Sequence, residues 1–166
     1  MKRLLIVCTL LLAIIGARAQ SELGEWMTLQ HEEEADVALM IGMYKDKSCI
    51  IKTITEVNDE EVGTINVCAD AEGTYTRKGN ELRFYFKDVR VYVGDIEWSD
   101  NIKQKYGNDP DNYNKLKDVF EQAIEEDKGE FVDAVKDLSS LTILSIDGDS
   151  MTVKDEGDTV TIRRVK

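Results

Sequence analysis

Histidine is almost absent from this chain, with His31 the only one in 166 residues. A His-pair metal site, or a nucleophile system of the Ser-His-Asp or Cys-His kind, would have to be built around that single residue. His31 opens the run His31-Glu32-Glu33-Glu34, which has the beginning of a zinc-protease helix but not its second histidine. The expected setting is a surface loop after the first strand. Glycine-rich phosphate cradles are missing too, because Gly107, Gly129 and Gly157 stand alone. The 33 acidic residues supply so many accidental carboxylate pairs that none is singled out for acid-base work. The oxygen-rich segments Asp147-Gly148-Asp149 and Asp155-Glu156-Gly157-Asp158 lack calcium-loop spacing and are expected as hairpin turns. These absences point to a non-catalytic protein with no catalytic residue, metal or cofactor.

Basic charge is scarce as well. Residues 1–19 have the form of a cleavable export signal: Lys2 and Arg3, an apolar run from Leu4 to Ile15, then Ala17-Arg18-Ala19 at the cleavage point. Cys8 lies deep within that apolar run and not at the cleavage point, so a lipid anchor is not expected. Leaving out the leader removes three basic residues and no carboxylate, so 18 Lys and Arg face 33 Asp and Glu and the net charge falls from -12 to -15. Such a chain repels nucleic acid and anionic lipid, both of which are held by Lys/Arg clusters. Beyond the leader no apolar run reaches the ~20 residues that a membrane helix needs, so no membrane insertion of the mature chain is expected. The expectation is an exported, periplasmic or secreted protein forming one domain over residues 20–166.

What remains reads mainly as β-sheet. From Gly24 to Gly94, short β-branched and aromatic runs are separated by turn residues at Lys45-Asp46-Lys47, Asn58-Asp59 and Gly79-Asn80. A two-residue turn at Gly79-Asn80 sets Tyr75 opposite Phe84. Leu82, Phe84 and Phe86 then share one face with Val89, Val91 and Val93, the apolar parity switching at Lys87-Asp88. Either a second turn or a bulge produces that switch. Near the C-terminus, a Gly148-Asp149 turn places Ile146 opposite Met151 and Leu144 opposite Val153. A Glu156-Gly157 turn pairs Val153 with Val160 and Met151 with Ile162. The same parity turns Arg164 inward, where it needs a partner.

Residues 99–140 instead repeat apolar positions at helical spacing. Asp109-Pro110 reads as N-cap and first helical residue, followed by a face of Tyr113, Leu116, Phe120, Ala123 and Ile124. Beyond Gly129 the face continues through Phe131, Ala134, Val135 and Leu138, which allows one kinked helix or two abutting ones. A shorter helix from about Asp100 to Tyr106, closed by Gly107, precedes it. The insert holds eleven acidic and six basic residues, a pattern expected of a solvated outer face.

Two cysteines remain after the leader. If Asn58-Asp59 is a two-residue turn, Cys49 and Cys68 stand directly opposite and within disulfide reach, an attractive arrangement in an oxidising compartment. A four-residue turn would separate them, leaving two buried thiols.

Gly24-Glu25-Trp26, a few residues beyond the leader, is similar to the Gly-x-Trp opening of the lipocalins and of the lipocalin-like (calycin-type) domains of exported bacterial proteins. Gly73-Thr74-Tyr75-Thr76, Gly79-Asn80-Glu81-Leu82 and the segments Leu141-Thr142-Ile143 and Thr161-Ile162-Arg163-Arg164 resemble the meander and closing strand. The resemblance covers most of residues 21–166. It implies an antiparallel meander β-barrel of eight to ten strands, here with an α-helical insertion before the last strands. It also implies that Arg164 packs over Trp26 as the barrel-closing pair, which supplies the partner Arg164 needs. The expected function is binding of a small apolar ligand, with Tyr75, Phe84 and Val91 as its lining or as a filled core. One alternative is an interaction or inhibitor module whose acidic insertion contacts an envelope protein. Another is a hydrolase of envelope glycans, which demands two carboxylates converging in a cleft.

Overall fold

The computed structural model describes residues 21–31, 35–107, 109–155 and 157–165; the expected leader lies outside them. Among the described residues eight antiparallel strands follow one another: β1 Gly24–His31, β2 Ala35–Met43, β3 Ser48–Asp59, β4 Gly63–Lys78, β5 Glu81–Trp98, β6 Ser140–Asp147, β7 Ser150–Asp155 and β8 Asp158–Arg164. Each pairs with the next, and β8 returns to β1 to close a ring. Two helices, α1 Asp100–Tyr106 and α2 Pro110–Asp137, join β5 to β6. No helix among the described residues is long and apolar enough to cross a membrane.

Local chemistry accounts for most of these boundaries. Gly79 and Gly148 take φ of 63° and 57°, the left-handed conformation that tight hairpins favour. They hold Tyr75 opposite Phe84 and Ile146 opposite Met151, as the turn residues predict. The parity switch at Lys87 is a bulge inside the 18-residue β5 and not a turn: Gly73 pairs with Phe86 and Glu72 with Asp88, leaving Lys87 as the extra residue. Ser99 caps α1, its hydroxyl accepting from the Ile102 amide at 3.2 Å. Asp109 caps α2 with Pro110 in its first turn, and the helix runs unbroken through Gly129.

Three expectations are corrected. His31 is the last residue of β1, paired with Asp36, and not part of a loop. A bulge between Ile143 and Ser145 sets Ile143, not Leu144, opposite Val153, so Ile143 is buried and Leu144 points to solvent. The third concerns the cysteines. Asp59 accepts from the amides of Glu61 and Val62 at 2.8 and 2.9 Å, which builds a three-residue loop where a two-residue turn was expected. The register then pairs Cys49 with Gly73 and Cys68 with Ile54. Cys49 joins the interior of the ring, whereas Cys68 alternates outward between Val67 and Ala69. Both are buried free thiols.

The ring is joined unevenly. The sheet β1–β5 meets the sheet β6–β8 through three residue pairs between β5 and β6 and two between β8 and β1, Trp26 with Arg164 and Met27 with Arg163. Near those seams Trp26, Ile41, Met43, Ile51, Tyr75, Leu82, Met151 and Ile162 fill the interior with fully buried side chains. Further along the strands a helix takes over. Phe120, Ile124 and Phe131 of α2 pack on Ile65, Val67 and Val93, while Trp98 meets Tyr113 and Phe120 at 5.4 and 6.3 Å between ring centres. Val135 is the one fully buried residue of α2 and enters the main core, so the helix stoppers the wide end.

Candidate ligand site

The inner face changes character along each strand. Side chains of β1, β2 and β3 meet in rows set by register: Trp26, Ile41 and Ile51, then Thr28, Leu39 and Thr53, then Gln30, Val37 and Thr55. The first row is wholly apolar and buried. The third, two steps from the seam, puts a glutamine and a threonine beside a valine.

Where that row faces α2, packing stops short. A cleft of about 420 Å³ lies between Gln30, Val37, Leu39, Thr53 and Thr55 on the strands and Glu130, Phe131, Ala134 and Leu138 on the helix. This size falls within the range of small-molecule sites. Its walls are mainly apolar, and Gln30, Thr53 and Thr55 are half-buried polar groups at one side. Among the described residues Glu130 is its only charged lining residue. On the other side of α2 a second cleft of about 480 Å³ is bordered by Phe84, Phe86 and Val89 with Lys87, Asp88 and Lys136, and is therefore more polar at its rim. Among the described residues each of these two clefts has a single carboxylate, Glu130 in one and Asp88 in the other. The converging pair that glycan hydrolysis requires is in neither.

The opposite end is sealed. The Arg164 guanidinium lies 4.1 Å from the centre of the Trp26 ring. It also donates to the carbonyls of Leu23 and Ser21, and the Trp26 indole donates to the carbonyl of Glu22 at 2.7 Å. Residues 21–23 are thereby drawn across the end of the ring. Glu22 is itself nearly buried and paired with Arg77 at 2.5 Å, so the seal includes a shielded ion pair. The Arg164 side chain occupies the space above Gly24 that any Cβ there would need, and Gly24 has φ of 122°. The spacing of Gly24 to Trp26 thus has a physical reason.

Tyr75 and Phe84 come together, 6.4 Å between ring centres, as buried core neighbours. Tyr75 belongs to the sealed end, beneath Lys47 at 4.7 Å, and Phe84 reaches the border of the second cleft. Val91 is half-buried and bridges the main core to the cluster under α2. None of the three lines the cleft between α2 and β1–β3. Burial pushes the Cys49 thiol up to about 11 and raises that of Cys68, so neither is a ready nucleophile at neutral pH. Among the described residues no group of three His, Cys, Asp or Glu is placed to hold a metal.

Gln30, Val37, Leu39, Thr53, Thr55 and Phe131 were not singled out by sequence. The usable signal was parity: stepping by two from Trp26 reaches Thr28 and Gln30, polar residues on a face that begins apolar. No protein-family model matches this chain, and no curated protein shows significant similarity to it.

Proposed function

We propose that the chain is an exported, non-catalytic, lipocalin-like barrel that takes a small, mainly apolar ligand between α2 and the inner face of β1–β3. One observation supports this above the others: the interior is filled at the sealed end but gives way to an apolar-walled cleft of ligand size under the helix. The lipocalin-like reading draws on the meander order, on ring closure and on the Trp26–Arg164 pair. Each cleft beside α2 has one carboxylate among the described residues, which favours binding there over hydrolysis; Asp70 and Asp88 border a third cleft together, but Asp70 is paired with Lys52 and Arg90. The test is native mass spectrometry of the protein purified from its own host, followed by lipid extraction. A bound small molecule lost on Ala134→Trp supports the reading, and a consistently empty protein overturns it. Export is tested on the same sample, which should begin at Gln20.

A second reading is favoured by the outer face of α2, where Val119 is 59% exposed beside Asp118. An envelope protein docking there would lose affinity on Val119→Lys with ligand binding unchanged.

A further inference from the structure

We infer that the ligand of the α2 cleft is an amphiphile whose head group is polar and cationic, and that Glu130 selects the charge. This rests on the binding reading above and adds the chemical class. The cleft has two chemically distinct parts. Val37, Leu39, Phe131 and Leu138 supply an apolar surface, which suits an alkyl body. Gln30, Thr53 and Thr55 come from alternating inward positions of β1 and β3, where a ring packed only with its own side chains has no need of polar groups. Their side chains are half-buried and have no hydrogen-bond partner among the described residues, so their oxygens can accept from, and their N–H and O–H groups donate to, a polar ligand head.

Charge decides between head groups. Among the described residues Glu130, itself exposed, is the sole ionisable residue lining the cleft, and no described lysine or arginine lines it to neutralise that charge. The mature chain adds a net charge of -15, which lowers the local concentration of anions and raises that of cations. A carboxylate or phosphate head would meet Glu130 with no cation at hand. An ammonium head gains a charge-assisted hydrogen bond there and can donate to the threonine and glutamine oxygens. The second cleft has Lys87 and Lys136 at its rim, so the same chemistry does not extend to both sides of the helix.

The experiment compares three probes of equal chain length with the full mature protein at pH 7: decylammonium, decanol and decanoate, each below its micellar concentration. Isothermal titration should rank them ammonium, alcohol, carboxylate, with about fivefold between neighbours, the scale of one partly exposed ion pair. Glu130→Gln should erase the preference for ammonium over alcohol, Glu130→Lys should invert it, and Ala134→Trp should weaken all three. Equal affinities for the three probes, abolished together by Ala134→Trp, would overturn the head-group assignment and leave the binding reading standing. A preference for ammonium that survives Glu130→Gln would overturn the role of Glu130. No binding of any probe overturns both.

Discussion

The two ends of the ring are built from the same strands with opposite results. At the sealed end the inward residues are large and apolar, Trp26, Ile41, Ile51 and Met151, and residues 21–23 close over them through Arg164. At the other end the inward positions of β1 and β3 become Gln30, Thr53 and Thr55, the strands β6–β8 no longer meet β1–β5, and α2 covers the opening. One end is finished by side chains and the other by a helix. A helix laid across a mouth leaves clefts along its flanks, because a cylinder cannot fill the corners against a curved sheet. Stability and binding can therefore reside in different halves of one fold.

That division is open to attack in order of effect. Trp26→Ala should cost most, about 3–5 kcal/mol in chemical denaturation, since a fully buried indole is lost together with its cover. Arg164→Ala should cost about 2–3 kcal/mol, removing the cation-π contact and two bonds to carbonyls, and Arg164→Lys should recover less than half. Cys49 gives a pH test of the sealed end's dryness. Burial lifts its folded pKa to about 11, above the ordinary thiol value of 9.0, so the folded state holds the proton more tightly. The contribution is complete below pH 9 and is lost as pH rises through 11, about 2–3 kcal/mol in all. Cys49→Ala should flatten that slope, and both native thiols should resist alkylation until the protein unfolds. Val135→Ala, at the helix stopper, should cost about 1–2 kcal/mol. Smallest of all, Thr53→Val should change stability by less than about 0.5 kcal/mol while altering ligand affinity. Should Thr53→Val prove as costly as Trp26→Ala, the contrast between the ends would fail.

Legibility followed the same division. Where a turn is dictated by glycine and an apolar stripe must stay inside, the register was readable, as at Gly79-Asn80 and along Leu82, Phe84 and Phe86. The capped helix from Pro110 was readable because Asp109 and Pro110 act locally. The β3–β4 register was not, since Asp59 bonds two amides beyond itself and the loop becomes residues 60–62, one residue longer and starting two residues later than expected, which moves Cys49 and Cys68 apart. The cleft was hidden for a different reason. Thr53, Thr55 and Gln30 look like ordinary outward strand residues until the register and the helix position are known, and both depend on contacts distant in sequence. The Trp26–Arg164 pair came through because two independent lines, strand parity and the family-like opening motif, met on one residue.

The seam also has a temporal meaning. Arg164 bonds to the Leu23 carbonyl across 141 residues of chain, so the seal on the first strand cannot form until the eighth has been made and folded back. Until then Trp26 has no cover, and the growing chain exposes the very surface that later anchors it. Such a long-range closure is slow relative to hairpin formation. In a Trp98→Phe variant, refolding followed by Trp26 fluorescence should therefore lag behind the appearance of β-structure, and the seam between β8 and β1 is the last part of the ring to become a wall.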